Sequence, residues 1–315
     1  MKKILVLLIG LMLVGCGSKQ IENNVSVIVP SGIPLLAVGN LIGTKNVTIE
    51  DVNNSSLLVA AMTSKSHDII VAPLNLGAKA FIEGGSDYQL AGILTFGNTY
   101  VITRKTHGLA SVSDLSGKSL MAYGQNSTPD IVLKAALAAG SVMANISYQA
   151  SVNLVLPFFL TNTSDPDDES NCDYPFILAA EPVISALEIN YGLELNILDL
   201  QDVLESEIAR IPQAGVFVNP DSAHPADIDV FLELLQENTE ELDDDPDAYA
   251  VLIVEKHSYF SNLTAETIAR AIPRSHIDYV AVSGDESFLA DYFALLNEHN
   301  PGILGGSVPE EGFYR

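Results

Sequence analysis

From residue 25 onward the chain alternates strand-length apolar runs with longer helix-like runs, and most changeovers fall on Pro, Gly, Asn, Ser or Thr. Residues 25–29, 47–52, 68–72 and 89–95 read as strands. Residues 33–41, 55–63 and 76–83 read as the helices between them, the last closed by Gly84-Gly85 as a left-handed helix end prefers. A tight hairpin cannot join parallel strands, so crossover helices must cover the sheet. This order therefore predicts an α/β chain with a mostly parallel sheet and helices on both faces.

A second unit repeats the pattern. Strands are expected at 119–123, 146–148, 176–179, 195–198 and 214–218, and helices at 129–139, 152–160 and 182–191. Beyond residue 218 the pattern is helical to the C-terminus, with amphipathic stripes at 227–238 and 287–298. About 300 residues after the leader exceed what one core supports, so two lobes are expected.

The junctions are the candidate binding surface. Ser31-Gly32, Pro73-Leu74-Asn75, Gly124 to Asp130 and Glu181-Pro182 each place turn or capping residues between a strand and a helix. Thr128-Pro129-Asp130 reads as N-cap, first and second helical residues. Helix starts expose unpaired N–H groups and a positive dipole end, and parallel sheets bind ligands beyond their strand ends. Each junction alone is better explained as a plain cap. Four of them from two units would form a polar cradle. Phe96 or Tyr123 would offer a flat face there, unless they simply pack in the core. Glu181 would meet a cationic ligand or complement its own helix. No Lys or Arg lies within the four junctions; Lys79 and Arg104 are nearest in sequence.

The front end is of another kind. Lys2-Lys3 precede an apolar run at 4–14, too short to span a bilayer, and the run stops at Cys16. Leu13-Val14-Gly15-Cys16 resembles the lipobox of bacterial lipoproteins, which implies removal of residues 1–15 and acylation of Cys16. Two or three acyl chains anchor a protein stably where one does not. Of 15 Lys and Arg, losing Lys2 and Lys3 leaves 13 against 40 Asp and Glu, a net charge of −27. That excludes nucleic acid and anionic membrane surfaces as partners. With Cys16 lipidated, Cys172 stands alone and no intrachain disulfide is expected. The acidic runs 165–169 and 240–247 lack the Gly and distal Glu of a calcium loop, so no metal is expected.

Asp68-Ile-Ile-Val-Ala-Pro-Leu-Asn-Leu-Gly-Ala-Lys79, Tyr88 to Asn98, Leu115-Ser-Gly-Lys118, Ala122 to Pro129, Glu181-Pro182, Pro212-Gln-Ala214 and Leu304 to Pro309 together resemble substrate-binding proteins of ABC importers. The nearest branch is the nitrate/sulfonate/taurine and thiamine-precursor type, and the likeness covers residues 25–315. It implies a two-lobe type II periplasmic-binding-protein architecture with a ligand cleft between the lobes. The implied division is a leader at 1–15, a lipidated Cys16 with spacer to 24, lobe one at 25–98 plus 216–315, and lobe two at 99–215. The outgoing crossing would lie near 97–104 and the return near 213–216. By position, the implied ligand-binding residues are Ser31, Gly32, Pro73, Asn75, Thr95, Gly97, Asn98, Tyr123, Gln125, Asn126, Ser127, Thr128 and Glu181. The implied partners are an ABC permease and a small molecule, the protein being a lipid-anchored, extracytoplasmic monomer without cofactor. A sulfonate, a nitrate-like anion, or a pyrimidine or amine-type compound all remain open as ligand. A sensor or surface interaction protein would share the fold and the tether. A pyrimidine-synthase-like enzyme is disfavoured, because the six histidines are scattered and no Gly-x-Ser-x-Gly occurs.

Overall fold

Ile69–Pro73 is a five-residue strand whose first four residues are buried whichever way their side chains point, so this strand lies in a sheet covered on both sides. The computed structural model describes residues 20–160 and 174–315. The leader, Cys16, Cys172 and the acidic run 165–169 lie outside the described residues. The chain opens with β1 (Val25–Pro30), α1 (Ile33–Ala37), β2 (Val47–Val52), α2 (Ser55–Ser64), β3 (Ile69–Pro73), α3 (Leu74–Ile82) and β4 (Gln89–Phe96). It then passes into a second sheet through β5 (Tyr100–Arg104), β6 (Ser119–Tyr123), α4 (Thr128–Ala139), β7 (Asn145–Gln149) and α5 (Val152–Leu160). That unit closes with β8 (Phe176–Ala179), α6 (Val183–Tyr191), β9 (Leu195–Asp199) and α7 (Leu200–Leu204). It returns as β10 (Pro212–Val218), α8 (Pro225–Asp244), α9 (Pro246–Lys256), α10 (Ala265–Ala271), β11 (Ile277–Ala281) and α11 (Ser287–His299).

The first sheet has the order β11-β4-β10-β3-β1-β2 and the second β7-β6-β8-β5-β9. This is a two-lobe α/β fold. Alternate residues of the first sheet feed different cores. Ile28, Ile70, Ala72 and Phe217 face one cluster, while Val27, Val29, Ile69, Val71 and Val216 face the other. The far face of the second sheet holds a third cluster around Ile102, Met121, Ile177 and Phe159. Gly77 lets α3 sit directly on the Phe217 ring, where any Cβ would overlap it.

Two expectations need correcting. The sheets are mixed rather than mostly parallel: β1 pairs with β2 and β3 in parallel, but β10 is antiparallel to β3 and β4, and β11 to β4. In the second sheet β5 is antiparallel to β8 and β9. The reason is the crossing. A chain leaving one sheet at the cleft end of β4 must re-enter there running the other way, and β5 enters the second sheet under the same constraint. The C-terminal part is also not wholly helical, because Ile277–Ala281 is an edge strand. Only Ile277 and Tyr279 of its five residues are buried, so the run carries little apolar periodicity.

The links between the sheets run over 97–99 on the way out and 205–211 on the way back. Tyr100 already pairs in the second sheet, leaving Gly97, Asn98 and Thr99 as the outgoing link. The first sheet resumes at Pro212, which pairs with Phe96, ahead of residue 216.

Candidate functional site

The two sheets aim the carboxyl ends of β1, β3, β4 and β8 at a common cleft of about 820 Å³, with the first residues of β10 beside them. Nine of the sequence-derived candidates line it: Ser31, Gly32, Pro73, Asn75, Thr95, Asn98, Ser127, Thr128 and Glu181. Gly97, Tyr123, Gln125 and Asn126 do not. Gly97 instead shapes the outgoing link: it holds φ at 51°, donates its N–H to Ile211 O at 2.8 Å, and accepts from the Gln213 amide. Tyr123 packs between the cores of the second lobe. Gln125 and Asn126 are exposed on the turn before α4, where the Asn126 N–H donates to Asp130 Oδ2 at 2.7 Å. Phe96, the other aromatic considered, is fully buried beneath the Arg210 guanidinium, 3.5 Å from its ring centre. Neither of the two aromatics proposed for stacking reaches the cleft lining.

The helix starts differ from simple caps. The helix α4 begins at Thr128 itself, so Ser127 rather than Thr128 holds the cap position. The Ser127 hydroxyl turns back to Gly124 O and leaves the first amides of α4 without a side-chain cap. Gly32 before α1 and Pro73 before α3 also provide no side-chain cap. These three starts therefore keep unpaired amide donors at the cleft edge. Other candidate groups are already partly engaged. Ser31 Oγ donates to Asp51 Oδ2 at 2.7 Å, and Thr95 Oγ1 accepts from the Ala214 N–H at 3.2 Å. Asn98 Oδ1 accepts the Glu181 N–H at 2.7 Å, which ties the outgoing link to the start of α6.

Glu181 is not a free carboxylate. Its Oε2 accepts the Ser185 N–H at 3.0 Å, and its Oε1 lies 2.5 Å from Arg274 Nε. Arg274 comes from the turn before β11, in the opposite lobe, and also donates to Ser185 Oγ at 2.8 Å and Glu188 Oε2 at 2.7 Å. Burial opposes charge on Arg274, but its bonds to Glu188 and Glu181 outweigh that and hold its pKa above the ordinary guanidinium value. Close by, His276 Nε2 lies 2.8 Å from Asp199 Oδ2 and 2.9 Å from the Tyr100 hydroxyl, which itself donates to Arg274 O. The two lobes are thus joined by an ionic cluster beside the cleft.

Sequence reasoning missed part of the lining. Val152 and Leu156 of α5 and Val183 and Leu187 of α6 supply an apolar wall. Tyr191, Tyr259 and Tyr292 add aromatic surface, with the Tyr259 hydroxyl close to Gly32. The Tyr292 hydroxyl is fully buried beside Thr128 and makes no hydrogen bond of normal geometry. Tyr259 lies between α9 and α10 and carries no local signal; only the strand that follows brings this part of the chain to the cleft. Gln213 had a signal, since it sits at the start of a strand that follows a crossing. Among the described residues no cluster of three His, Cys, Asp or Glu is placed to hold a metal ion. No described helix is long and apolar enough to cross a membrane.

No family model matches the sequence, and no curated protein matches it by sequence. Solved structures do match in shape. An ABC transporter protein from Parabacteroides distasonis superposes with a TM-score of 0.74 at 19% identity, over 93% of this chain and 99% of that one. The periplasmic aliphatic sulphonate binding protein of Escherichia coli gives 0.68 at 12% identity, over 91% and 89%. The ligand binding component of an ABC-type import system from Staphylococcus aureus, solved with zinc bound, gives 0.65 at 13%, over 93% and 97%. The chain has the fold of the ABC-transporter periplasmic binding proteins.

Proposed function

We propose that this chain is the extracytoplasmic substrate-binding lipoprotein of an ABC importer, which captures a small organic solute and hands it to a membrane permease. The observation that carries the proposal is the cleft. It is about 820 Å³, within the usual range for small-molecule sites, and both lobes contribute to its walls. Lobe one is residues 25–98 with 212–315, and lobe two is 99–211. Among the described residues two links join them, so the solute is taken up by hinge closure and the closed form is what the permease recognises. Ser31, Asn75, Asn98, Ser127 and Thr128 are the polar contacts, with the uncapped amides of α3 and α4. Cys16 carries the lipid that keeps a monomeric receptor beside its transporter, and no step requires catalysis or a cofactor.

Two measurements test this. Small-angle scattering with and without a small-molecule extract of bacterial cells should show a smaller radius of gyration in the loaded protein. Labelling with a tagged fatty acid should mark the protein and fail on Cys16→Ser. A protein that retains nothing from the extract and does not contract is not a receptor.

A further inference from the structure

We infer that the cleft is built for an uncharged, partly apolar organic molecule rather than for an anion or a cation. The inference rests on the receptor reading above.

Glu181 is the one Asp, Glu, Lys, Arg or His among the described residues lining the cleft. Its Oε1 lies 2.5 Å from Arg274 Nε and its Oε2 accepts the Ser185 amide, yet burial outweighs both and holds its pKa above the ordinary carboxylate value. A cationic guest would have to share Glu181 with Arg274, whose like charge lies 2.5 Å from the same carboxylate and is otherwise met, among the described residues, only by Glu188. No other carboxylate in the lining stands in reserve. A guest cation would therefore sit beside the Arg274 guanidinium with no carboxylate of its own, so a cation is disfavoured here.

The case against an anion lies in the helix starts. Helix N-termini can hold an anion without any basic side chain. Here two of the starts at the cleft already carry a carboxylate of the chain itself in or just before their first turn. Asp130, fully buried in the first turn of α4, is met by Lys134 Nζ and the Tyr148 hydroxyl, each at 2.7 Å. Glu181 does the same for α6. The helix α1 is only five residues long and has a proline, without an N–H, at its second position. That leaves the starts of α3 and α5, whose Asn75 and Asn153 line the cleft, and no Lys, Arg or His of the described lining adds to them to offset the desolvation of a full negative charge. A chain of net charge −25 also repels an approaching anion.

What the cleft does offer is neutral. One wall is aliphatic, from α5 and α6. The strand ends contribute the Asn75 amide and the parts of Asn98 and Gln213 not already bonded, since Asn98 Oδ1 accepts from Glu181 and Gln213 Nε2 donates to Gly97 O and Thr99 Oγ1. The buried Tyr292 hydroxyl, lacking a well-formed bond of its own, is an uncharged donor for a carbonyl, ether or hydroxyl oxygen. An apolar body with a few hydrogen-bonding groups at one side matches that distribution.

To test this, a small-molecule extract of bacterial cells is passed over anion and cation exchangers at neutral pH. The full chain is then melted with each of the three fractions. The uncharged fraction is expected to raise the melting temperature by about 5 °C at saturation, equally in low and high salt. Stabilisation by only the anion-retained or only the cation-retained fraction would overturn the inference while leaving the receptor reading intact. No stabilisation by any fraction would overturn both.

Discussion

Removing Arg274 tests the ionic cluster that spans the lobes. The Glu181 side chain is wholly buried, whereas Arg274 keeps a quarter of its side-chain surface exposed. Taking one partner from a buried pair typically costs 3–5 kcal/mol, because the remaining charge is stranded. Given the exposure of Arg274, the low end applies, and Arg274→Met should cost about 3 kcal/mol. For a chain of this size that lowers the melting temperature by about 6–12 °C. Glu181→Gln combined with Arg274→Met removes both charges, and the amide oxygen can still accept the Ser185 N–H. The double variant should recover to within about 1 kcal/mol of the parent, since apolar or neutral replacements of a whole buried pair are often harmless. Glu188 retains Arg270 at 3.9 Å, so its charge is not stranded by the change. Urea unfolding followed by circular dichroism, on parent, both single variants and the double, gives the coupling directly. If Arg274→Met costs less than about 1 kcal/mol, or the double is no better than the single, the pair is not what holds this edge of the lobes together.

Further outcomes are expected. Asn75→Ala and Thr128→Ala should each weaken solute binding, measured by calorimetry. Because Thr128 is not the α4 cap, its change should shift ligand-free stability by no more than about 0.5 kcal/mol. Gly77→Ala should destabilise by about 2–3 kcal/mol in urea unfolding, since the new methyl overlaps the buried Phe217 ring. Burial raises the pKa of Asp68, but bonds from Ser222 and Ser26 outweigh it and leave the value below the ordinary carboxylate one. A depressed folded-state pKa contributes stability above the unfolded value, and that stability is lost as the pH falls through the folded one. Asp68→Asn should therefore melt lower than the parent at pH 7, with the gap closing below about pH 4.

The alternation of strand and helix was legible because buried β1, β3 and β4 have strong apolar runs and their helices end on Gly or start after Pro. Strand direction was not, since nothing in residues 212–218 tells which way the segment enters a sheet. The strand β11 escaped notice because its outward Asp278, paired with Arg210 at 2.9 Å, breaks the apolar run. For the site, junction chemistry located nine lining residues, because helix starts at strand ends are a local pattern. Arg274 could not be found that way. It stands 93 residues beyond Glu181 and meets it only through the return crossing and the packing of α10 against α6. Likewise the hydroxyl of Ser127 looks like a cap in sequence, but the turn at Gly124 captures it first.

The placement of β4 has a consequence for synthesis. Both its sheet neighbours, β10 and β11, are made more than 100 residues later, and Leu90 also bridges to Tyr314. While the ribosome is still adding the second lobe, an eight-residue apolar segment has no partner on either edge. Such a strand is prone to pair with another chain. Those edges are covered only once β10 and β11 have been made.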